Sequence, residues 1–282
     1  MIPLRRLVFL VVLAMIAFAA NSLLCRAALR DTGIDPASFT TIRIASGAAV
    51  LWVIARMRGG TMTSAGSWGS AAALFGYAAA FSFAYIELPA AVGALILFCA
   101  VQVTMIGWGL WRGERIGATQ AAGLSLAIGG LVGLLWPGLS APPPGSAALM
   151  LAAGIAWGIY SLRGRRSGDP TIATDGNFMR AVPFAVVLSL FTLGGAKAGT
   201  AGVLYAIASG ALASGLGYAI WYTALPGLTS TKAATIQLSV PVIAAAAAVV
   251  LLDEAITLRL VLGSAAILGG IALVVVAKRP AQ

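Results

Sequence analysis

The two halves of this chain carry the same hydrophobic pattern. Ile42-Arg43-Ile44 precedes Met179-Arg180-Ala181 by 137 positions, and Leu88-Pro89 precedes Leu225-Pro226 by the same 137. Beyond the Leu-Pro step the second copy carries three more residues. An offset of 140 then pairs Glu114 with Glu254, Gly123 with Gly263 and Ile128-Gly129-Gly130 with Leu268-Gly269-Gly270. One insertion near residues 229–232 accounts for the change. Ordered matches over most of the length point to duplication and predict two like halves, residues 1–138 and 146–282, joined by a Pro-rich linker at 139–145.

Composition decides where those halves reside. With 60% hydrophobic and 9% charged residues, the chain has too little polar surface for a water-borne globule of 282 residues. Ten apolar spans are predicted, at residues 7–25, 38–57, 68–86, 90–111, 117–136, 146–162, 178–194, 202–224, 233–252 and 258–277. The expected fold is all-α and polytopic, one transmembrane domain of ten helices. Five spans per half is an odd number, so the second half enters the bilayer from the opposite side and the repeat is inverted. Residues 1–19 resemble a secretory signal, but removing them would delete a helix whose counterpart at 146–162 is kept, so they read as a retained first span.

The net charge of +10 is spread between and beside the spans rather than gathered in one patch, so it reports orientation and not a nucleic-acid partner. With the N-terminus in the cytoplasm, twelve of the eighteen Lys and Arg residues fall on the inner side, which predicts both termini inside. The chain has no His, no zinc-spaced Cys, no phosphate-binding Gly-Lys-Ser/Thr loop and no paired carboxylates within a span, so neither an enzyme, a metal site nor a cofactor is expected. Every Asp and Glu is expected at a span end or in a loop, which disfavours ion coupling through a buried acid. Cys25 and Cys99 are expected as unpaired packing residues.

The ends of the fourth and ninth spans, Arg112-Gly113-Glu114-Arg115-Ile116-Gly117 and Leu252-Asp253-Glu254-Ala255-Ile256-Thr257, each precede a helix bearing Gly-Gly, and Pro241 stands in the ninth span. These residues resemble the EamA-type, ten-span branch of the drug/metabolite transporter superfamily, and the likeness covers essentially the whole chain. Within it the chain looks most like the YddG-type exporters of aromatic and other amino acids, which implies efflux across a bacterial inner membrane. Four-span multidrug members carry a carboxylate in their first helix. This chain has Asn21 and no acid there, which speaks against proton-for-cation exchange.

Candidate binding residues follow from the spans. Tyr77, Phe81 and Tyr85 repeat at i, i+4, i+8, and the 137 offset maps Phe81 onto Tyr218 and Tyr85 onto Tyr222, beside Trp221. Facing rings suit an apolar side chain and an ammonium. Core packing or an interfacial belt is the competing reading. Trp157, Tyr160 and Ser161 in the sixth span, Asn21 in the first, and Gln237 and Ser239 before Pro241 in the ninth are further substrate-binding candidates, with Gln102 a weaker one and Pro241 a candidate hinge. Asn21 serves equally as glue between helices. Arg43 and Arg180 are expected to snorkel to headgroups, with carboxylate recognition the alternative, and Gly154-x-x-x-Gly158 and Gly129-x-x-x-Gly133 to bring helices close.

Together these residues predict an exporter of small metabolites, amino acids first, working by alternating access in the lipid bilayer. A drug exporter on the same scaffold is the rival, and a non-transporting receptor the reading from another class. A monomer is compatible with the sequence, which leaves the oligomeric state open.

Overall fold

The computed structural model describes residues 3–57, 65–113, 117–138, 141–164, 170–228 and 236–276. Glu114, Arg115, the insertion at 229–232, linker residues 139 and 140, and several loop cations (Arg58, Arg165, Arg166, Lys232, Lys278, Arg279) lie outside them. Among the described residues all regular structure is helical, in ten rods: α1 (Leu4–Asp31), α2 (Pro36–Met57), α3 (Trp68–Ala84), α4 (Ala90–Trp111), α5 (Ala118–Leu135), α6 (Pro144–Gly164), α7 (Pro170–Phe191), α8, α9 (Ser239–Leu252) and α10 (Leu258–Val276). α8 is built from three consecutive segments, Thr200–Ile207, a π-helical stretch Ala208–Leu216, and Gly217–Ala224. Six rods, α1, α2, α4, α5, α6 and α8, are by themselves long and apolar enough to cross a bilayer. A helix of 22 residues such as α4 is about 33 Å long, against a hydrocarbon core of about 30 Å. Large apolar side chains face outward, among them Val8, Phe9, Val12, Leu190, Leu204 and Leu262, where lipid rather than water is the compatible solvent.

The fourth span occupies the residues expected, and the others shift at their ends by a few residues. α7 departs most, starting at Pro170 instead of 178. Its first two turns carry Thr171, Thr174, Asp175 and Asn177, all buried against neighbouring helices, so hydropathy misplaces a start that protein contacts define. Asp175 is thereby a carboxylate inside a helix, which corrects the expectation that acids lie at span ends or in loops. Both cysteines are free and buried.

Helices α1, α3, α4, α6, α8 and α9 form the centre, α2 packs on α7, and α5 packs on α10. The neighbours exchange under a shift of five helices. The pairs α3–α6 and α4–α6 correspond to α8–α1 and α9–α1, and α3–α7 corresponds to α8–α2. Close approach depends on glycines. A Cβ at Gly154 would lie 2.7 Å from the Leu97 carbonyl oxygen of α4, and one at Gly123 would lie 2.6 Å from the Gly270 carbonyl oxygen of α10. Gly129 and Gly133 meet nothing within 4 Å, so the packing face of α5 is that of Gly123 and Gly130, one step round from the face expected.

At one end of the bundle, polar groups clamp the helices together. The Glu254 carboxylate, just beyond α9, accepts the backbone N–H groups of Ala90 (2.8 Å) and Ala91 (3.4 Å), capping α4, and stands 3.8 Å from Arg26 Nε. Arg26 Nη1 donates to the carbonyls of Tyr85 (3.0 Å) and Ile86 (2.7 Å), and Arg30 Nη1 donates to that of Leu252 (2.8 Å). Ser146 at the start of α6 donates to Glu87. At the same end Asp35 caps α2 by accepting the N–H groups of Ala37 (3.0 Å) and Ser38 (2.9 Å). Its other oxygen takes the Lys197 N–H (2.9 Å) while its own N–H donates to the Lys197 carbonyl (2.9 Å), a reciprocal tie to the approach of α8. Burial raises the pKa of Asp35, but hydrogen bonds from Ser38, Lys197 and Ala37 outweigh it and hold the carboxyl below its ordinary value.

The carboxylate form of Asp35 is therefore the stabilising one. Its contribution is full at neutral pH and is lost as pH falls below about 4, through the lowered native value. Asp35→Ala is expected to cost about 1–2 kcal/mol, and the gap in apparent Tm between wild type and variant in detergent narrows as the pH is brought below that value. A gap independent of pH would contradict the assignment. The clamp is tested with Cys25, which adjoins Arg26 in sequence. In a Cys99→Ala background Cys25 is expected to resist a water-soluble maleimide, and Glu254→Ala is expected to raise its labelling severalfold. Unchanged labelling would show that the clamp does not seal this end.

Candidate functional site

A cavity of about 510 Å³ lies among the six central helices. It runs from Asn21 and Tyr77 at mid-helix, with Phe81 in the last turn of α3, to Gly164, Leu228 and Gln237 at helix ends. Those ends belong to the side of the bundle holding the start of α1, since a Cβ on Gly227 would lie 3.0 Å from Leu7. Of the candidates read from the sequence, Asn21, Tyr77, Phe81, Trp157, Tyr218, Trp221 and Gln237 line this cavity, as do Gln102, Ser161 and Tyr222. Tyr160 and Ser239 do not. Tyr160 stacks on Trp157 from behind, with ring centroids 5.3 Å apart, and its hydroxyl lies 3.5 Å from Asn177 Nδ2. Ser239 Oγ donates to the Ile236 carbonyl (2.7 Å), within the chain that leads into α9. Pro241 sits in the first turn of α9, where a missing N–H leaves no bond unmade, and the interruption falls at Leu238.

Trp157 is the hub of the aromatic wall. Its ring centroid is 4.8 Å from that of Tyr77 and 5.2 Å from that of Tyr218, and Phe18 meets Tyr218 at 5.7 Å and Trp221 at 6.0 Å. Such contacts contribute about 0.5–1.5 kcal/mol each beyond area burial, so the rings hold one another in place and keep the cavity open between them. Helix α4, packed beside α6, contributes Leu97, Phe98, Val101 and Met105, with Gln102 the polar residue among them. Reading stripes of aromatics passed over the first four, because a largely apolar helix gives no sign of which face it turns inward.

Polar groups gather at the deep end. The Tyr77 hydroxyl oxygen accepts from Asn21 Nδ2 (3.1 Å) and from Arg43 Nη2 (2.9 Å). Asn21 Oδ1 accepts from Ser209 Oγ (2.6 Å), and Arg43 Nε donates to Ser214 Oγ (3.3 Å). The expectation that Arg43 snorkels is thus overturned. It is 2% exposed, with its guanidinium carbon 5.1 Å from the Tyr77 ring centroid and 4.9 Å from that of Phe81. Arg180, by contrast, is only partly buried and donates to the carbonyls of Ala65 (2.8 Å), in the connection before α3, and of Gly176 (2.9 Å), one turn back on its own helix.

The π-helical stretch of α8 makes this arrangement possible. Its i→i+5 bonding widens the turn, and residues five apart, Ser209 and Ser214, both reach the network. Gly210 lies so close to the Arg43 backbone carbonyl and the Ser46 hydroxyl that a Cβ has no room there. The sequence carries a signal for it that period-3.6 reading misses: Ala208-Ser209-Gly210 recurs five residues on as Ala213-Ser214-Gly215.

No ionised side chain lines the cavity among the described residues, and none of their His, Cys, Asp and Glu side chains form a group that could hold a metal ion. The site is suited to binding a largely apolar small molecule with a few polar groups.

Comparison with known proteins places this site in context. The chain is 56% identical over 273 residues to an uncharacterized protein of Pseudomonas aeruginosa, covering 96% of this chain and 95% of that one. It is 25% identical over 225 residues to a probable amino-acid metabolite efflux pump of Escherichia coli, covering 70% and 74% respectively. A crystal structure 20% identical in sequence shares the fold with a TM-score of 0.66, over 94% of this chain and 98% of that one. The profile of the EamA-like transporter family matches residues 5–136 and again residues 145–276. With both halves matched, the protein is a multi-pass membrane transporter that belongs to the EamA-like family.

Proposed function

We propose that the protein exports amino acids, aromatic ones included, from the bacterial cytoplasm by alternating access across the inner membrane. The cavity carries this reading. It is central, ringed by aromatic side chains, and extends to one end of the bundle while the other is clamped by Glu254, Arg26 and Arg30. The distribution of basic residues supports both termini in the cytoplasm, and on that reading the described conformation opens inward. Exchange of helix neighbours under a five-helix shift supports two inverted repeats, 1–138 and 146–282, rocking about the shared site, with the interruption before Pro241 as a hinge. The name of the Escherichia coli relative agrees with amino acids as cargo.

Counterflow in liposomes tests it. Vesicles holding purified protein and unlabelled phenylalanine or threonine are expected to accumulate the labelled compound saturably. Trp157→Ala and Tyr218→Ala are each expected to weaken exchange by about 5- to 10-fold, as loss of one ring contact implies. Folded protein that exchanges neither amino acid would refute the amino-acid reading in favour of drugs or other metabolites on the same scaffold.

A further inference from the structure

The Arg43 guanidinium is buried in the middle of the bundle, yet its surroundings are two hydroxyls and two aromatic rings. Among the described residues no carboxylate lies within 4.0 Å of it, and Nη1 has no hydrogen-bond partner. A full charge buried in this way is retained at substantial cost unless something compensates it. The geometry shows where compensation is missing. Tyr77 receives hydrogen bonds from Asn21 and from Arg43, and neither uses the phenol's own hydrogen. Tyr77 lines the cavity. Ser209, Asn21 and Arg43 all donate in its direction, so the chain of bonds ends in a donor polarised by a cation, matched only by an acceptor and best by an anion.

We propose that the deep end of the cavity, at Tyr77 backed by Arg43, is a carboxylate-recognition site, and that the transporter selects its cargo by the carboxylate and not by the ammonium. This rests on the cavity being the transport site. The cavity lining offers no acid to pair with an amine, and the positive charge behind Tyr77 opposes a cation at the same place. Aromatic acids lacking an amino group therefore belong to the substrate class, whereas esters and amides of amino acids and lipophilic cations do not. The apolar body of the ligand lies along Trp157 and Tyr218 toward the open end.

The test is direct binding to the purified protein, by calorimetry, of four probes: phenylalanine, 3-phenylpropionate, phenylalaninamide and tetraphenylphosphonium. Wild type is expected to bind the two carboxylates at least about tenfold more tightly than the amide or the phosphonium. Tyr77→Phe, which keeps the ring and leaves Arg43 in place, is expected to erase most of that preference, and Arg43→Gln to do the same. Because the readout is a ratio within one preparation, partial misfolding does not imitate it. Equal binding of 3-phenylpropionate and phenylalaninamide, a preference that survives in a folded Tyr77→Phe protein, or no binding of either carboxylate would overturn the proposal. Counterflow separates it from the transport reading. Carboxylate-selective binding without flux leaves the site standing and removes transport of these compounds, whereas phenylalanine flux without carboxylate selectivity does the reverse.

Discussion

The Arg43 guanidinium is buried at the centre of the bundle, and much of the central architecture follows from how it is held. Its nitrogens reach α3 through Tyr77 and α8 through Ser214, and its planar face lies against Tyr77 and Phe81. Satisfying those groups requires α8 to approach α2 closely, which Gly210 permits, and to present Ser209 and Ser214 together, which the π turn accomplishes. Asn21 then fixes α1 to the same hydroxyl. Four helices are thus located by one small network of polar atoms. In hydrocarbon, where burial of apolar groups does not bring helices together, such contacts and close glycine packing provide the specificity.

Closure at the far end rests on a different kind of contact. Glu254 serves as both a helix cap and the partner of Arg26, so one carboxylate links α9, α4 and α1. Beside it, Asp35 and Lys197 join two connections through reciprocal backbone and side-chain bonds. These are charge-assisted links between helix ends. Bonds of similar length join the opposite end, where Asn177 Oδ1 accepts the Ser67 N–H (2.8 Å), Arg180 donates to the Ala65 carbonyl (2.8 Å) and Arg163 reaches Ser70 and Ser67 at 3.1 and 3.3 Å.

How much of this was legible depended on whether the determining contacts were local. The bounds of α4 could be read because its run carries no charged residue between Pro89 and Arg112. The start of α7 could not, because Thr174, Asp175 and Asn177 are buried by other helices that hydropathy does not see. The ring positions on α3, α6 and α8 were readable from helical spacing and from repetition of the halves, since Phe81, Trp157 and Tyr218 face inward by the period of their own helices. Arg43 was misread for the opposite reason. Its partners lie 34 and 171 residues away, and only the folded arrangement shows that they replace headgroups. The glycines teach the same lesson on α5, where Gly123 rather than the Gly129 and Gly133 pair meets a neighbour.

One consequence follows from the way the cavity is divided among helices. The polar network draws on α1, α2, α3 and α8, whereas Leu97, Phe98, Val101 and Met105 of α4 take no part in it. The wall that sets the width and length of the space is therefore chemically independent of the groups at its base. Substitutions at Phe98 and Met105 alter the size of molecule accommodated without touching the hydrogen bonds at the base, whereas Leu97 and Val101 also carry the packing of α4 on Gly154 and Gly158 of α6. A lineage carrying this scaffold thus has in Phe98 and Met105 two places where the size of its cargo can drift apart from the groups that read the cargo's polar end.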